Sequence, residues 1–248
     1  MNEARTQPGH DLLIRKLECI TDLSDEEKEV LRGLPLGVRS FGADQDIVRE
    51  GDRPSTCTLV LSGFICRYKV VPDGKRQIMG FYLPGEIPDL QSLHLQVMDH
   101  SLGTLVPSTI ALIPHDSVHA AARNYPGIAA ALWRDTLIDA ATFREWMIGL
   151  GRRSARGRIA HLLCELLVRF RALGLTSGET YELPITQAEL GDALGLSTVH
   201  VNRVLQELRA ENLIVLRGGV LSIPDWEALT EAGEFDPAYL HIKPERLP

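Results

Sequence analysis

Asp99, His100 and Ser101 stand side by side, supplying the acid, base and hydroxyl of a nucleophilic relay. Neighbours on a strand point to opposite faces, so a contiguous trio cannot form that relay. The sequence has no nucleotide-binding glycine loop and no paired metal motif, and an enzyme is not expected. His94, His100, His115 and His119 carry the remaining ligating chemistry. His115 and His119 could share one helix face and hold a metal; surface histidines at a helix edge are the simpler reading, and no metal is assigned. The four cysteines, Cys19, Cys57, Cys66 and Cys164, are scattered without a C-x-x-C pair. They read as buried thiols rather than a zinc knuckle or a disulfide framework.

A denser constellation lies between Pro184 and Ile214, where Thr198, Val199, His200, Asn202 and Arg203 fall within one short stretch. Arginine bonds guanine in bidentate fashion, asparagine bonds adenine, and small apolar groups meet the thymine methyl. Such residues need a helix that exposes its front, and the flanking sequence specifies one. Thr186 with Glu189 forms a capping-box pattern that starts a first helix, whose buried face is Leu190 and Leu194. Gly195 admits a left-handed backbone and Leu196 fills the corner. Ser197 caps a second helix with Val201, Val204, Leu205 and Leu208 as its buried stripe. Two short helices around a glycine turn make a helix-turn-helix, whose second helix enters the DNA major groove. Asn212 to Ile223 then reads as strand, Gly218-Gly219 turn, strand, which makes a wing. A helical hairpin used only for packing would not need the capped start, glycine corner, polar front and wing together. Double-stranded DNA is the expected partner.

The preceding sequence has the look of a second module. Leu12, Leu13, Leu17 and Ile20 fall at helical spacing, and Ser24 with Glu27 repeats the capping-box pattern. From about residue 38 the period becomes that of strands, broken by frequent turns, among them Asp73-Gly74 and Pro107-Ser108. This predicts a small all-β barrel or roll, interrupted by an irregular stretch from Ile87 to Met98 with a short helix over Leu90 to Leu95. Tyr125-Pro126 opens a long helix to about Leu150. Along it Ala129, Leu132, Thr136, Asp139, Phe143, Trp146 and Leu150 alternate in steps of three and four, a heptad seam that predicts pairing with a second copy. Gly149 to Arg153 reads as a hinge, and Ser154 caps a further helix to about Leu173.

The 248 residues carry a net charge of −7, 44% hydrophobic and 24% charged side chains. That balance is ordinary for a globular protein; it argues against a chain coated in nucleic acid but not against one that touches DNA through a local surface. No apolar stretch reaches the ~20 residues of a membrane span, and the N-terminus lacks the apolar core of a secretion signal. A cytoplasmic protein is expected.

From about Leu23 to Ile223 the sequence resembles the Crp/Fnr superfamily, that of the cyclic-AMP receptor protein and the Fnr regulator. The resemblance rests on Ile185-Thr-Gln-Ala-Glu-Leu-Gly191, Gly195-Leu-Ser197, Asn202-Arg-Val-Leu205, Gly157-Arg-Ile-Ala160, Glu50-Gly-Asp52 with Ser62-Gly63, and Pro84-Gly85-Glu86. It implies an α+β chain with a cyclic-nucleotide-binding-like β-roll, a long dimerisation helix and a C-terminal winged helix-turn-helix. The corresponding divisions are residues 1–124 for the N-terminal helices and sensor roll, 125–151 for the dimer helix and hinge, 152–231 for the DNA-binding domain and 232–248 for a tail. The resemblance further implies a homodimeric transcription regulator on a near-palindromic operator, with RNA polymerase as a further partner. Position by position, Arg203 matches the guanine-reading arginine, and Thr198 and Val199 occupy the two preceding reading positions. Val199 stands where the family usually has a glutamate. Gln187, Ser197 and His200 match phosphate-touching positions, and Thr186 is counted with them among the DNA-binding residues. In cyclic-AMP-binding members a Gly-Glu pair holds the ribose and an Arg-Ser or Arg-Thr pair the phosphate. Here the candidate effector pocket is Glu86, Asp89, His100 and Ser101, with Pro88 in place of a glycine and His100 in place of the arginine. Imidazole lacks arginine's fixed charge and forked donors, so cyclic AMP is not expected. Only Cys19 lies where Fnr-like members carry their iron–sulfur cysteines, so that cluster is not expected either. The cofactor is left unassigned. A ligand- or haem-binding sensor whose DNA binding requires an effector is the alternative.

Overall fold

The structure, a computed structural model, describes residues 8–246; the opening MNEARTQ of the stretch read for a secretion signal lies outside them. The chain forms two compact units. One takes the residues up to Lys69 together with Phe81–Leu137, the other Val70–Gly80 together with the residues from Ile138.

The first unit opens with helices α1 (Pro8–Glu18) and α2 (Asp25–Arg32). Ser24 and Glu27 close the capping box expected of them, each side chain accepting from the other's backbone N–H. The strands of this half of the chain are β1 (Gly37–Phe41), β2 (Asp46–Val48), β3 (Thr56–Ser62), β4 (Ile65–Val70), β5 (Arg76–Tyr82, whose first five residues belong to the second unit), β6 (Ser101–Thr104) and β7 (Ser108–Pro114). They form two sheets, ordered β1-β7-β3 and β2-β6-β4-β5. The turn from β4 to β5 contains Gly74 at φ 85°, a left-handed conformation that glycine adopts without strain. β6 and β7 are neighbours in sequence but pair in different sheets, β6 with β2 and β4, β7 with β1 and β3. Chain switching between sheets at this corner is what makes a roll of the strands. Gly85 approaches the backbone of α1 so closely that a Cβ would lie 2.7 Å from the Leu12 carbonyl oxygen.

A 3-10 turn, Leu90–Leu93, and helix α3 (His115–Asn124) complete the first unit. The apolar face of α1 (Leu13, Ile14, Leu17) meets Leu59, Ile113 and Leu132 in one continuous core. Helix α4 (Pro126–Arg152) starts with a proline, tolerated where its missing N–H has no acceptor to serve. Its exposed apolar residues do not follow the seam read from the sequence. Leu132 is buried in the first unit's core, and the Trp146 indole N–H donates to Glu165 in the second unit. The face left open carries Trp133, Thr136, Ala140, Phe143, Met147 and Leu150, again in steps of three and four, with Ala140 half-buried. The period stands and its phase shifts by one residue at Leu132, Asp139 and Trp146.

The second unit is built on α5 (Ala155–Ala172), capped by the Ser154 hydroxyl, which accepts from Gly157 N–H. Ile159, Leu162, Leu163, Leu166 and Leu167 are fully buried. Around it lie α6 (Gln187–Leu194), α7 (Thr198–Ala210) and a three-stranded sheet of β8 (Thr180–Glu182), β10 (Val220–Ser222) and β9 (Val215–Arg217). Helix α8 (Trp226–Gly233) packs on α5, followed by 3-10 turns at Pro237–Leu240 and Pro244–Arg246. β8, α8 and the two turns have no counterpart in the reading of the sequence. Among the described residues no helix is long and apolar enough to cross a membrane.

Candidate nucleic-acid interface

Thr186 and Glu189 form the capping box that starts α6, with Glu189 N–H donating to the Thr186 hydroxyl and Thr186 N–H to the Glu189 carboxylate. The helix ends at Gly195, left-handed at φ 64°, ψ 39°. The turn is tight: a Cβ on Gly191 would stand 2.5 Å from the Leu196 carbonyl oxygen. Ser197 then accepts from His200 N–H and starts α7. Val201, Val204, Leu205 and Leu208 are buried as their spacing predicts. Fixing that stripe inward fixes the opposite face outward, since residues three and four apart share a face.

The face turned outward holds the candidate reading residues. Thr186, Ser197, Thr198, Val199, Asn202 and Arg203 are exposed, and Gln187 and His200 are half-buried. Val199 is 81% exposed at the front of α7. The Asn202 amide donates to Gln187 Oε1 at 3.1 Å, tying the front of α7 to the start of α6. That bond uses one N–H and leaves the Asn202 carbonyl and its second N–H for a base edge. Arg203 Nε lies 3.7 Å from Glu207 Oε1, one turn further along α7. The carboxylate steadies the guanidinium while both terminal nitrogens stay available for a bidentate contact. The first turn of α7 has no acidic residue, so its positive end is open to phosphate. Behind it, Gly218 and Gly219 both take positive φ at the wing tip, between β9 and β10.

If Val199 meets a thymine methyl, replacing it by glutamate should move the preference at one base pair toward cytosine, whose amino group a carboxylate accepts from. Selection from randomised duplexes with Val199→Glu measures this, with a discrimination of about 1–3 kcal/mol expected at that pair. An identical consensus for both proteins would remove Val199 from the reading set.

The effector candidates are otherwise engaged. Glu86 accepts from Leu83 N–H at 2.9 Å, closing its own turn. Asp89 Oδ1 accepts from Thr58 N–H at 2.7 Å and the residue is fully buried. His100 pairs with Asp99 through Nδ1 at 2.7 Å and lies 3.2 Å from the Gln91 amide through Nε2. The Ser101 hydroxyl accepts from Glu50 N–H at 3.0 Å. The Arg67 guanidinium bonds the Pro88 carbonyl where the family's glycine would leave room for a ligand. These residues do not fit a cyclic nucleotide: no guanidinium replaces the phosphate arginine at His100, and Glu86 already serves the backbone. Cys19, Cys57, Cys66 and Cys164 are all buried and form no disulfide. His115 bonds the Ser92 hydroxyl and His119 the Leu93 carbonyl, and no group of three metal-ligating side chains occurs among the described residues.

Burial pushes the Asp89 carboxyl up to about 6, against the Thr58 N–H bond that favours its charged form. A raised carboxyl means that the folded state holds a proton the unfolded chain has already lost. Stability from this group is therefore full below about pH 4 and falls as pH rises to about 6. Asp89→Asn removes that titration and keeps an acceptor for Thr58. The stability of wild type relative to Asp89→Asn should drop by roughly 2–3 kcal/mol between pH 4 and pH 7. Urea melts of both proteins across that range measure it, and parallel curves would contradict the assignment.

The family comparisons agree with this geometry. A family model for the Crp-like helix-turn-helix domain matches residues 157–232, and one for the cyclic nucleotide-binding domain matches residues 38–125. The transcriptional activator protein FnrL of Cereibacter sphaeroides is 30% identical over 73% of this chain and 73% of its own length. The transcriptional activator protein Anr of Pseudomonas aeruginosa is 28% identical over 83% of this chain and 82% of its own. The structure of FixK2 from Bradyrhizobium japonicum superposes with a TM-score of 0.72 at 25% identity, covering 80% of this chain and 98% of that one. With a relative at that identity and coverage, both family models in the expected order, and the exposed front of α7 behind a capped, glycine-cornered turn, the chain belongs to the Crp/Fnr family of DNA-binding transcription regulators.

Proposed function

We propose that this regulator binds a near-palindromic operator as a homodimer paired through α4, and that it does so without a cyclic nucleotide. The observation that carries the pairing is the stripe Trp133, Thr136, Ala140, Phe143, Met147 and Leu150, a heptad face left exposed among the described residues except at the half-buried Ala140. Two copies joined along it would present two recognition helices about one DNA turn apart, roughly 34 Å. Arg203 reads guanine, Asn202 and Val199 read neighbouring bases, and Thr186, Gln187, Ser197 and His200 touch phosphates, positioning the protein without specifying sequence. We place the protein in the cytoplasm, with RNA polymerase as its second macromolecular partner.

The test is selection of bound duplexes from random DNA by purified protein with no added ligand, alongside sedimentation of the free protein. An enriched palindrome with half-sites about ten base pairs apart and a dimeric mass are expected. A monomeric mass would overturn the pairing. A dimer that enriches nothing would overturn the ligand-independent form and leave an effector-dependent regulator in its place.

A further inference from the structure

The first unit contains a cavity of about 520 Å³ between the 3-10 turn, α3 and α4, and none of Glu86, Asp89, His100 or Ser101 lines it. Its floor is apolar, from Leu90, Leu93, Val118 and Leu132, and its outer wall is Trp133 and Leu137. Polar groups come only from Gln91, His94, His119, Arg123 and Thr136. No acidic side chain lines it. His119 and Arg123 lie one turn apart on α3, and His94 packs edge-on against His119 with ring centroids 5.5 Å apart. Arg123 has no ion-pair partner among the described residues; Arg123 and His94 are exposed, as are Trp133 and Leu137, so basic and apolar side chains share the solvent mouth while Leu90, Val118 and Leu132 are buried at the floor.

We propose that this cavity binds an amphipathic organic acid, one carboxylate on an alkyl or aryl body. The volume falls within the ~300–1,000 Å³ of small-molecule sites. An apolar interior with one basic rim selects for a tail and an anionic head, because an uncharged apolar body leaves Arg123 unpaired and a polyanion would bury charge against leucines. A nucleotide is poorly matched, since no carboxylate lines the cavity to receive ribose hydroxyls. The site is separate from the cyclic-nucleotide position of the roll, although Gln91 touches both, bonding His100 on one side and lining the cavity on the other.

The probe is sodium dodecanoate, with dodecan-1-ol as its uncharged counterpart, titrated into the full chain without DNA below micelle-forming concentrations. Trp133 in the wall reports occupancy by its emission, and calorimetry gives the stoichiometry. One saturable site per chain is expected, with Arg123→Gln weakening dodecanoate roughly tenfold and leaving dodecan-1-ol unchanged. Ala122→Phe, which fills the cavity from α3, is expected to abolish both while the sedimenting mass stays the same. Absent saturation, or equal losses for acid and alcohol in Arg123→Gln, overturns the proposal. Dissociation of the dimer by Ala122→Phe also overturns it, because the occupant would then be the second copy's helix. If Ala122→Phe does not fold, the surface change Arg123→Gln still decides. Since no DNA is present, failure here leaves the operator reading intact.

Discussion

Replacing Glu165 by alanine is expected to destabilise the second unit by about 3–5 kcal/mol, the cost of breaking a buried charged network by removing one member. Glu165 is wholly buried on α5, a position that carboxylates seldom take unless paired. The Trp146 indole donates to Oε2 at 2.9 Å, the Tyr239 hydroxyl donates to the same oxygen at 2.8 Å, and Arg169 bonds Oε1 at 3.0 Å. One side chain thus joins α4, α5 and the C-terminal 3-10 turn. Burial comes first among the causes that hold the Tyr239 hydroxyl well above its usual range, with the Glu165 charge adding to it. Alanine would leave three donors facing a void, two of them in dry surroundings. Urea unfolding followed by tryptophan emission measures the loss; a shift under 1 kcal/mol would mean that water replaces the carboxylate without cost. DNA binding should fail with it only to the extent that the unit unfolds.

Arg203→Ala carries the second large effect, with opposite selectivity. Operator affinity should fall by about 1–3 kcal/mol and the preference at one base pair should relax, while unfolding stays unchanged. The side chain is two-thirds exposed, and its ion pair with Glu207 at 3.7 Å is a surface pair of little consequence for stability. Titration of the selected operator against single-base variants separates the outcomes. Equal weakening at every sequence would make Arg203 a phosphate contact, and an unchanged profile would remove α7 from the groove.

These two residues differ in how far the sequence exposes them. Arg203 could be read from the chain because its neighbours are local: a capping box, a glycine corner and a buried stripe all lie within twenty residues and fix which way it points. Glu165 could not, because its partners come from Trp146 and from Tyr239, 74 positions away. Within α5 it reads as one more polar residue in an amphipathic helix. The tail that supplies Tyr239 carries no periodicity to mark it, and β8 is too short for its period to stand out from a loop.

Local periodicity, caps and turn glycines determined the order of elements other than β8, α8 and the C-terminal turns, the helix-turn-helix and its wing, and the heptad step of α4, because each depends on residues a few positions apart. Only the tertiary structure decided the phase of that heptad. Leu132 and Trp146 suit a seam as well as Trp133 and Met147 do, and the choice falls to whichever face the protomer's own core claims. Packing against α1 and β7 takes Leu132, Glu165 takes Trp146, and the next residue round is left exposed. The placing of β6 and β7 in different sheets and the basic-rimmed cavity between α3 and α4 belong to the same class. They arise where surfaces from distant parts of the chain meet, and no spacing along the chain encodes such a meeting.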